Sequence, residues 1–351
     1  MDANEIQGIS VLKDASSTAV YGIRGANGVI IVTTRRGQTG APKVNLSMNY
    51  GFTSASSLQK GTSAYEYALM RNEAIRHDQR SFSGTESLST YIYDDYDLWK
   101  FRNNRDYTPV ELDARGDLTA AQKELLKNQP ALYYASRDLY KEMFDRVAPQ
   151  MQINLNVSGG TERVKYFVSF GYFSQQGITT DIRYYDADTG SNFNRYNFRS
   201  NFDIQVAKNF KVSVNVAGQF GKSQGLGSGS DPYDLSARYK GIMQYIYDAN
   251  PFISPGMIDG HLIEGFAGVA GTEQNPLANK TASTIGNQNA IVSLLRAGTN
   301  SIFNSLLDNT IKLEHTMDYL LEGLRVYGTV NYQDNYNRIV KYTPSIPTYT
   351  V

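Results

Sequence analysis

The chain has 351 residues, and its 34 basic side chains balance 34 acidic ones, so no global field draws it to nucleic acid or anionic lipid, and nucleic acid is disfavoured as a partner. Mean hydropathy is −0.42 and no apolar run approaches the roughly 20 residues a membrane helix needs, which excludes a helical membrane protein but not a transmembrane barrel, where outward apolar and inward polar residues average out. Cysteine is absent, removing disulfides, thiolate metal sites and cysteine nucleophiles, while 26 tyrosines against one tryptophan suit either aromatic girdles at a membrane interface or a sugar-binding surface.

Met1 opens directly onto DANEIQGISVLKD, with no basic region, apolar core or cleavage site, so the sequence reads as a fragment lacking a secretory signal. Ile9 and Val11 alternate as a short strand, Asp14 is placed to cap a weak helix from Ala15 to Tyr21, and Gly22 is the natural stop. Gly25 and Gly28 predict positive φ in a tight turn, with Asn27-Gly28 the dipeptide that tolerates it best. Val29 to Thr34, VIIVTT, is β-branched without alternation and predicts a strand covered on both faces, before Arg35 and Arg36 return the chain to water. A glycine turn beside a helix can bind phosphate, but here the helix precedes the turn and no Lys-Ser/Thr pair follows it.

The run VLKDASSTAVYGIRGANGVIIVTT resembles the plug signature of SusC/RagA-like, TonB-dependent outer-membrane transporters. The resemblance is carried by Val11, Leu12, Lys13, Asp14, Tyr21, Gly22, Arg24, Gly25, Ala26, Asn27, Gly28 and Val29. Ser16, Ser17 and Thr18 stand where the family often has alanines, and Ile23 where it often has Ser or Ala; none adds a charge. The resemblance implies that residues 1–40 are the C-terminal part of an α/β plug domain and 41–351 the N-terminal part of an incomplete transmembrane β-barrel. It also implies import of large nutrients such as oligosaccharides or peptides across a Gram-negative, Bacteroidota-like outer membrane, driven by the TonB complex and lidded by a SusD-like lipoprotein. A signal peptide, a TonB-contacting segment and most of the plug would precede Met1.

Farther along, period two, strict in the first and less clean in the sixth, marks seven candidate strands: Val44 to Phe52, Met151 to Val157, Val164 to Tyr172, Tyr196 to Val206, Phe210 to Phe220, Leu307 to Leu313 and Leu324 to Tyr332. Short turns near 159–162, 207–209 and 317–323 alternate with long excursions at 53–148, 177–194 and 222–303, the habit of outer-membrane barrels, which pair brief periplasmic turns with long outer loops. The fold class expected is therefore mainly β, with Val44, Ile153, Val168, Phe202, Val214 and Val326 on one outer face and helices inserted in the long loops. Seven strands do not close a barrel of roughly 22, the size of plugged transporters.

Within the excursions, Ser63 with Glu66 and Thr119 with Gln122 form capping boxes ahead of helices, and Asp231-Pro232 opens a helix through Leu235, Tyr239, Ile242 and Ile246. SAYEYALMRNEA and NPLAN, Asn275 to Asn279, are weaker points of resemblance, and Gly225 to Asp231 is the nearest thing to a flexible linker.

Catalytic, cofactor and metal chemistry find no carrier. His77, His261 and His315 lack the spacing that pairs ligands on a helix face, and Asp94, Asp95 and Asp97, like Asp186 and Asp188, lack the ligand pattern of a calcium loop. No GxSxG, HExxH or Walker pattern occurs, so no enzyme is expected. The alternative reading is a soluble β-rich carbohydrate-binding or adhesin module that stacks its tyrosines on sugars. In the transporter reading, Ile9 to Thr34 docks against the polar inner wall, where Arg24, Arg35 and Arg36 meet inward acids such as Asp203.

Overall fold

The computed structural model describes residues 3–57, 59–81, 93–128, 134–145, 147–227, 243–244, 246–247, 251, 256–258, 260–265 and 290–350. At the N-terminus, β1 (Ile6–Leu12) pairs antiparallel with β2 (Val29–Thr34), placing Ile9 opposite Val32 and Leu12 opposite Val29. They are joined by α1 (Ala15–Thr18) and a 3₁₀ turn at Ala19–Gly25. The helix is shorter than Asp14 and the spacing predict. The Asp14 side chain makes no cap; its carbonyl instead accepts from the Ser17 and Thr18 amides at 3.1 Å and from both hydroxyls, the local back-bonding that draws Ser and Thr away from long helices.

Gly22 breaks the turn at φ +60°, and Gly28 turns into β2 at φ +89°. Gly25 does not adopt positive φ. It is needed for room, since a Cβ there would lie 2.7 Å from the Thr18 carbonyl oxygen.

All seven expected strands form, in one antiparallel sheet of order β13-β12-β9-β8-β5-β4-β3. They are β3 (Gly40–Thr53), β4 (Ala148–Gly160), β5 (Val164–Gln176), β8 (Asn192–Ala207), β9 (Phe210–Leu226), β12 (Thr299–Thr316) and β13 (Arg325–Tyr342). β12 starts earlier than its apolar pattern shows, because Thr299 to Phe303 pair fully with β9 although their side chains do not alternate cleanly. Short strands decorate the loops: β6 (Arg183–Tyr184) with β7 (Ala187–Asp188), β10 (Met257–Ile258) with β11 (His261–Gly265), and β14 (Tyr349–Thr350) alongside β11.

Opposed residues in a ladder share a face. Met48, Ile153, Tyr172, Tyr196, Phe220, Ser305 and Tyr336 therefore form one row across the sheet, and Lys43, Ser158, Phe167, Asn201, Asn215, Thr310 and Asn331 form another on the opposite side. The registers put Val44, Ile153, Val168, Phe202, Val214 and Val326 on the first, apolar face.

Burial is inverted relative to a water-soluble sheet. On the apolar face Val44, Leu46, Met48 and Phe52 are 63–68% exposed, whereas on the polar face Asn154, Asn156, Asn197 and Asn201 are 2–6% exposed. The aliphatic core lies in the loops instead, at the end of the sheet carrying the long connections. There α7 (Ala290–Ala297), a wholly apolar-faced helix, packs Leu294 and Leu295 against Leu139, Met143, Tyr184, Leu226 and Leu262.

A second small core joins α2 (Ala64–Ser81) and α3 (Asp95–Asn103) around Tyr93, Phe101 and Tyr134. The capping box at Ser63 and Glu66 closes at 3.0 and 3.2 Å, and that at Thr119 and Gln122 heads α5 (Ala120–Asn128). A third box, Thr108 with Glu111, precedes α4 (Pro109–Ala114), and α6 (Leu139–Met143) completes this excursion. Of the helix expected after Asp231, only residues 243–244 and 246–247 are described, and they are helical, with Ile246 buried in the loop core; Asn275 to Asn279 and most of the linker to Asp231 lie outside the described residues.

Candidate functional site: the segment docked on the polar face

The seven-stranded sheet presents its polar face to the N-terminal segment, and the contacts come from both ends of the β1–β2 hairpin. Glu5, in the 3₁₀ turn before β1, is 3% exposed and receives Arg199 Nε of β8 at 2.9 Å, with Ser169 of β5 at 3.5 Å. A buried carboxylate requires such a partner, because desolvation of either charge alone costs several kcal/mol. The Arg35 amide donates to the Glu5 carbonyl at 2.8 Å and its Nε to the Ile6 carbonyl at 3.2 Å, so the two chain ends of the hairpin are tied to each other before they meet the wall.

From β2 onward the chain runs along β8. Asn201 Nδ2 donates to the Arg35 carbonyl at 2.7 Å, and Arg36 Nη1 reaches Asp203 Oδ1 at 3.2 Å. Asp203 also accepts from Ser213 Oγ at 2.6 Å and pairs with Lys211 at 3.3 Å, both on β9. Gly37 then crosses β5 so closely that a Cβ would lie 2.2 Å from the Tyr166 backbone nitrogen. Only glycine permits that approach of backbone to backbone.

The signature residues themselves occupy the far part of this segment. Val11 and Leu12 end β1; Lys13 and Asp14 lead into α1; Tyr21, Gly22, Gly25, Ala26 and Asn27 make the turn; Gly28 leads into Val29, which begins β2. A Cβ at Gly28 would meet the Leu12 carbonyl oxygen at 3.0 Å, so the glycine lets the turn close on the end of β1. The Arg24 side chain lies outside the described residues.

One expectation fails here. VIIVTT is not covered on both faces: Ile9, Val11, Ile30 and Val32 are 39–68% exposed. The segment is anchored through Glu5 and the stretch from Thr34 to Gly37, which leaves both faces of the two-stranded sheet without an apposed layer among the described residues.

Glu5 and Arg199 were invisible to motif reading, because the pair spans 194 residues and neither belongs to a signature. The available signal was the alternation of Arg195, Arg199 and Asp203 on the polar face of β8. The acid clusters weighed as cation sites have local roles. Asp94 caps α3 by accepting from the Asp97 amide at 2.8 Å, Asp97 accepts from Tyr134 Oη at 2.8 Å, and Asp186 sits in the β6–β7 hairpin turn, where it accepts from Tyr342. Among the described residues no group of three or more His, Asp or Glu side chains is arranged to hold a metal.

No family model matches the chain. Over 214 residues it is 27% identical to the TonB-dependent receptor P3 of Formosa agariphila, covering 61% of this chain and 15% of that protein. Over 287 residues it is 25% identical to the TonB-dependent receptor SusC of Bacteroides thetaiotaomicron, covering 78% of this chain and 22% of that one. The fold matches the solved RagAB peptide importer in its closed-closed state with a TM-score of 0.57 at 19% identity, over 97% of this chain and 33% of the other. The chain thus spans about a sixth to a fifth of the length of these curated relatives.

Proposed function

We propose that this chain, similar in sequence to SusC and other TonB-dependent receptors and folded like part of the RagAB importer, is a section of an outer-membrane transporter that imports large nutrients such as oligosaccharides or peptides. In this reading residues 1–40 end the plug, 41–351 begin the barrel wall, and the signature from Val11 to Val29 shapes the plug turn. TonB drives displacement of the plug, and a SusD-like lipoprotein covers the outer mouth. The relatives are receptors and importers, so no catalysis is assigned.

The observation that carries the reading is the inverted sheet with its two aromatic borders. Near the long loops, Phe198, Phe220, Phe303 and Tyr336 stand ring beside ring on four successive strands at 6.0–6.5 Å, continuous with Tyr172 and Tyr196 at 5.0 Å. At the short-turn end, Phe210 meets His315 at 6.2 Å. From Phe210 to Phe220 the chain advances roughly 33 Å along the strand, which at a tilt of about 40° is roughly 25 Å along the barrel axis, the height of the apolar band in such barrels.

Docking of residues 5–37 on the polar face supports a displaceable plug: among the described residues one buried ion pair, one half-exposed pair and polar hydrogen bonds such as that from Asn201 hold it, rather than an apolar core. The test is ion conductance of the full-length transporter in planar bilayers after deleting residues 9–37. Conductance well above that of the intact protein is expected, and a pore that stays as closed as the intact one excludes the segment from the gate.

A further inference from the structure

The connection between β12 and β13 departs from the other short turns. Thr161–Arg163 and Ala207–Asn209 are polar, but here Tyr319, Leu320 and Leu321 stand side by side at 72, 67 and 64% exposure. Five of the turn's amides are nonetheless bonded within it. The Met317 amide donates to the Leu324 carbonyl, the Leu320 and Leu321 amides to the Met317 carbonyl, the Leu324 amide to the Leu321 carbonyl, and the Gly323 amide to Asp318 Oδ1. Gly323 closes the turn at φ +81°. Each amide bonded within the turn lowers the cost of leaving bulk water, since an unpaired amide in an apolar layer costs several kcal/mol, and the amides of residues 318, 319 and 322 stay within reach of headgroups and water at an interfacial depth.

The ring of Tyr319 lies 6.1 Å from that of His315, which shares the apolar face with Phe210, Leu313 and Val326. The turn is therefore held on the apolar side of the sheet edge, continuous with the surface assigned to lipid, and not on the side of the docked segment. Leu313, Val326 and Val206 extend the same patch at 45, 53 and 61% exposure.

We infer that residues 319–321 form an interfacial anchor, buried in the headgroup and upper acyl region of the inner leaflet of the outer membrane and completing the lower aromatic border. A phospholipid leaflet fits this patch, because three adjacent apolar side chains with no charge of their own meet the rim of a wall whose apolar band ends at that level. This inference rests on the transporter reading above. The anchor would fix the height of the barrel in the bilayer at the one short turn among the described residues that presents such a face.

The test places a nitroxide on single cysteines in the full-length transporter in phospholipid vesicles, at Leu320→Cys and Leu321→Cys, with Glu162→Cys and Lys208→Cys in the polar turns and Val168→Cys on the apolar face. Collision with oxygen, which enriches in lipid, is compared with collision with a water-soluble nickel chelate. Residues 320 and 321 are expected to shift toward oxygen, between the strongly lipid-like value at 168 and the aqueous values at 162 and 208. If 168 is lipid-like while 320 and 321 match 162 and 208, the anchor is refuted and the transporter reading stands. If 168 itself is aqueous, the transporter reading falls and the anchor with it.

Discussion

Among the described residues, Glu5 and Arg199 hold the N-terminal segment more firmly than the other ion pair in contact with it. Their side chains are 4 and 13% exposed, so removing one partner strands a desolvated charge, at a cost of about 3 to 5 kcal/mol. Arg36 and Asp203, at 44 and 12%, form a wetter pair worth roughly 0 to 1 kcal/mol. Arg199→Met in the full-length protein should therefore raise amide exchange throughout β1 and β2, whereas Arg36→Met should change it little; equal effects would contradict this ranking. Gly37→Ala should act like Arg199→Met, because the added carbon meets the β5 backbone and not a side chain able to move aside. Protection unchanged in that variant would show that the close crossing is not needed for docking. The Arg36–Asp203 contact was legible in the sequence, since the arginine follows the signature and the acid falls on the polar parity of β8. Glu5 was not, because nothing local separates a buried acid from a solvated one.

Among the elements, the seven strands were legible because alternation is a local property that each strand carries by itself. The expected helix ends at Ser63 and Thr119 were legible for the same reason: a capping box is complete within four residues. The third box, in YTPVELD, obeys the same rule with proline at the first helical position, and a systematic scan would have found it. What local pattern does not encode is cover. VIIVTT has the composition of a doubly buried strand, yet whether something lies against it depends on other parts of the fold. Thr108→Ala should cost the α4 region about 1 kcal/mol, read as faster amide exchange of its first turn, and unchanged exchange would show that Pro109 alone holds the helix start. In the neighbouring loop core, burial pushes the Tyr93 phenol up to about 12. An acid raised above its free value near 10 stabilises the fold fully below that value and loses its contribution as pH climbs through the folded pKa. The packing of α2 on α3 should accordingly hold at pH 9 and loosen between about pH 10 and 12, followed by tyrosinate absorbance and amide exchange together; ionisation of Tyr93 along with the exposed tyrosines would refute its burial.

For the whole molecule, the strand order was legible from the alternation of short and long connections, which forces a meander, and the common apolar face followed once the registers were parity-matched. The sidedness of that face was less legible, because a soluble sandwich and a membrane wall share the same period; exposure of the apolar side and burial of the asparagine side are what support the proposed membrane wall. A control for charged substitution must face inward without touching the docked segment, and Asn201, polar and facing inward, is 2% exposed and bonded to that segment, so a charge there would disturb docking. Asn335, exposed on the polar face of β13, serves instead. The most direct measurement is the folding free energy, in lipid vesicles, of the full-length protein carrying Val168→Arg, Val214→Arg or Asn335→Arg. A membrane wall predicts losses of about 2 to 4 kcal/mol at Val168 and Val214 and a loss near zero at Asn335. Equal tolerance at all three positions would contradict a lipid-facing sheet.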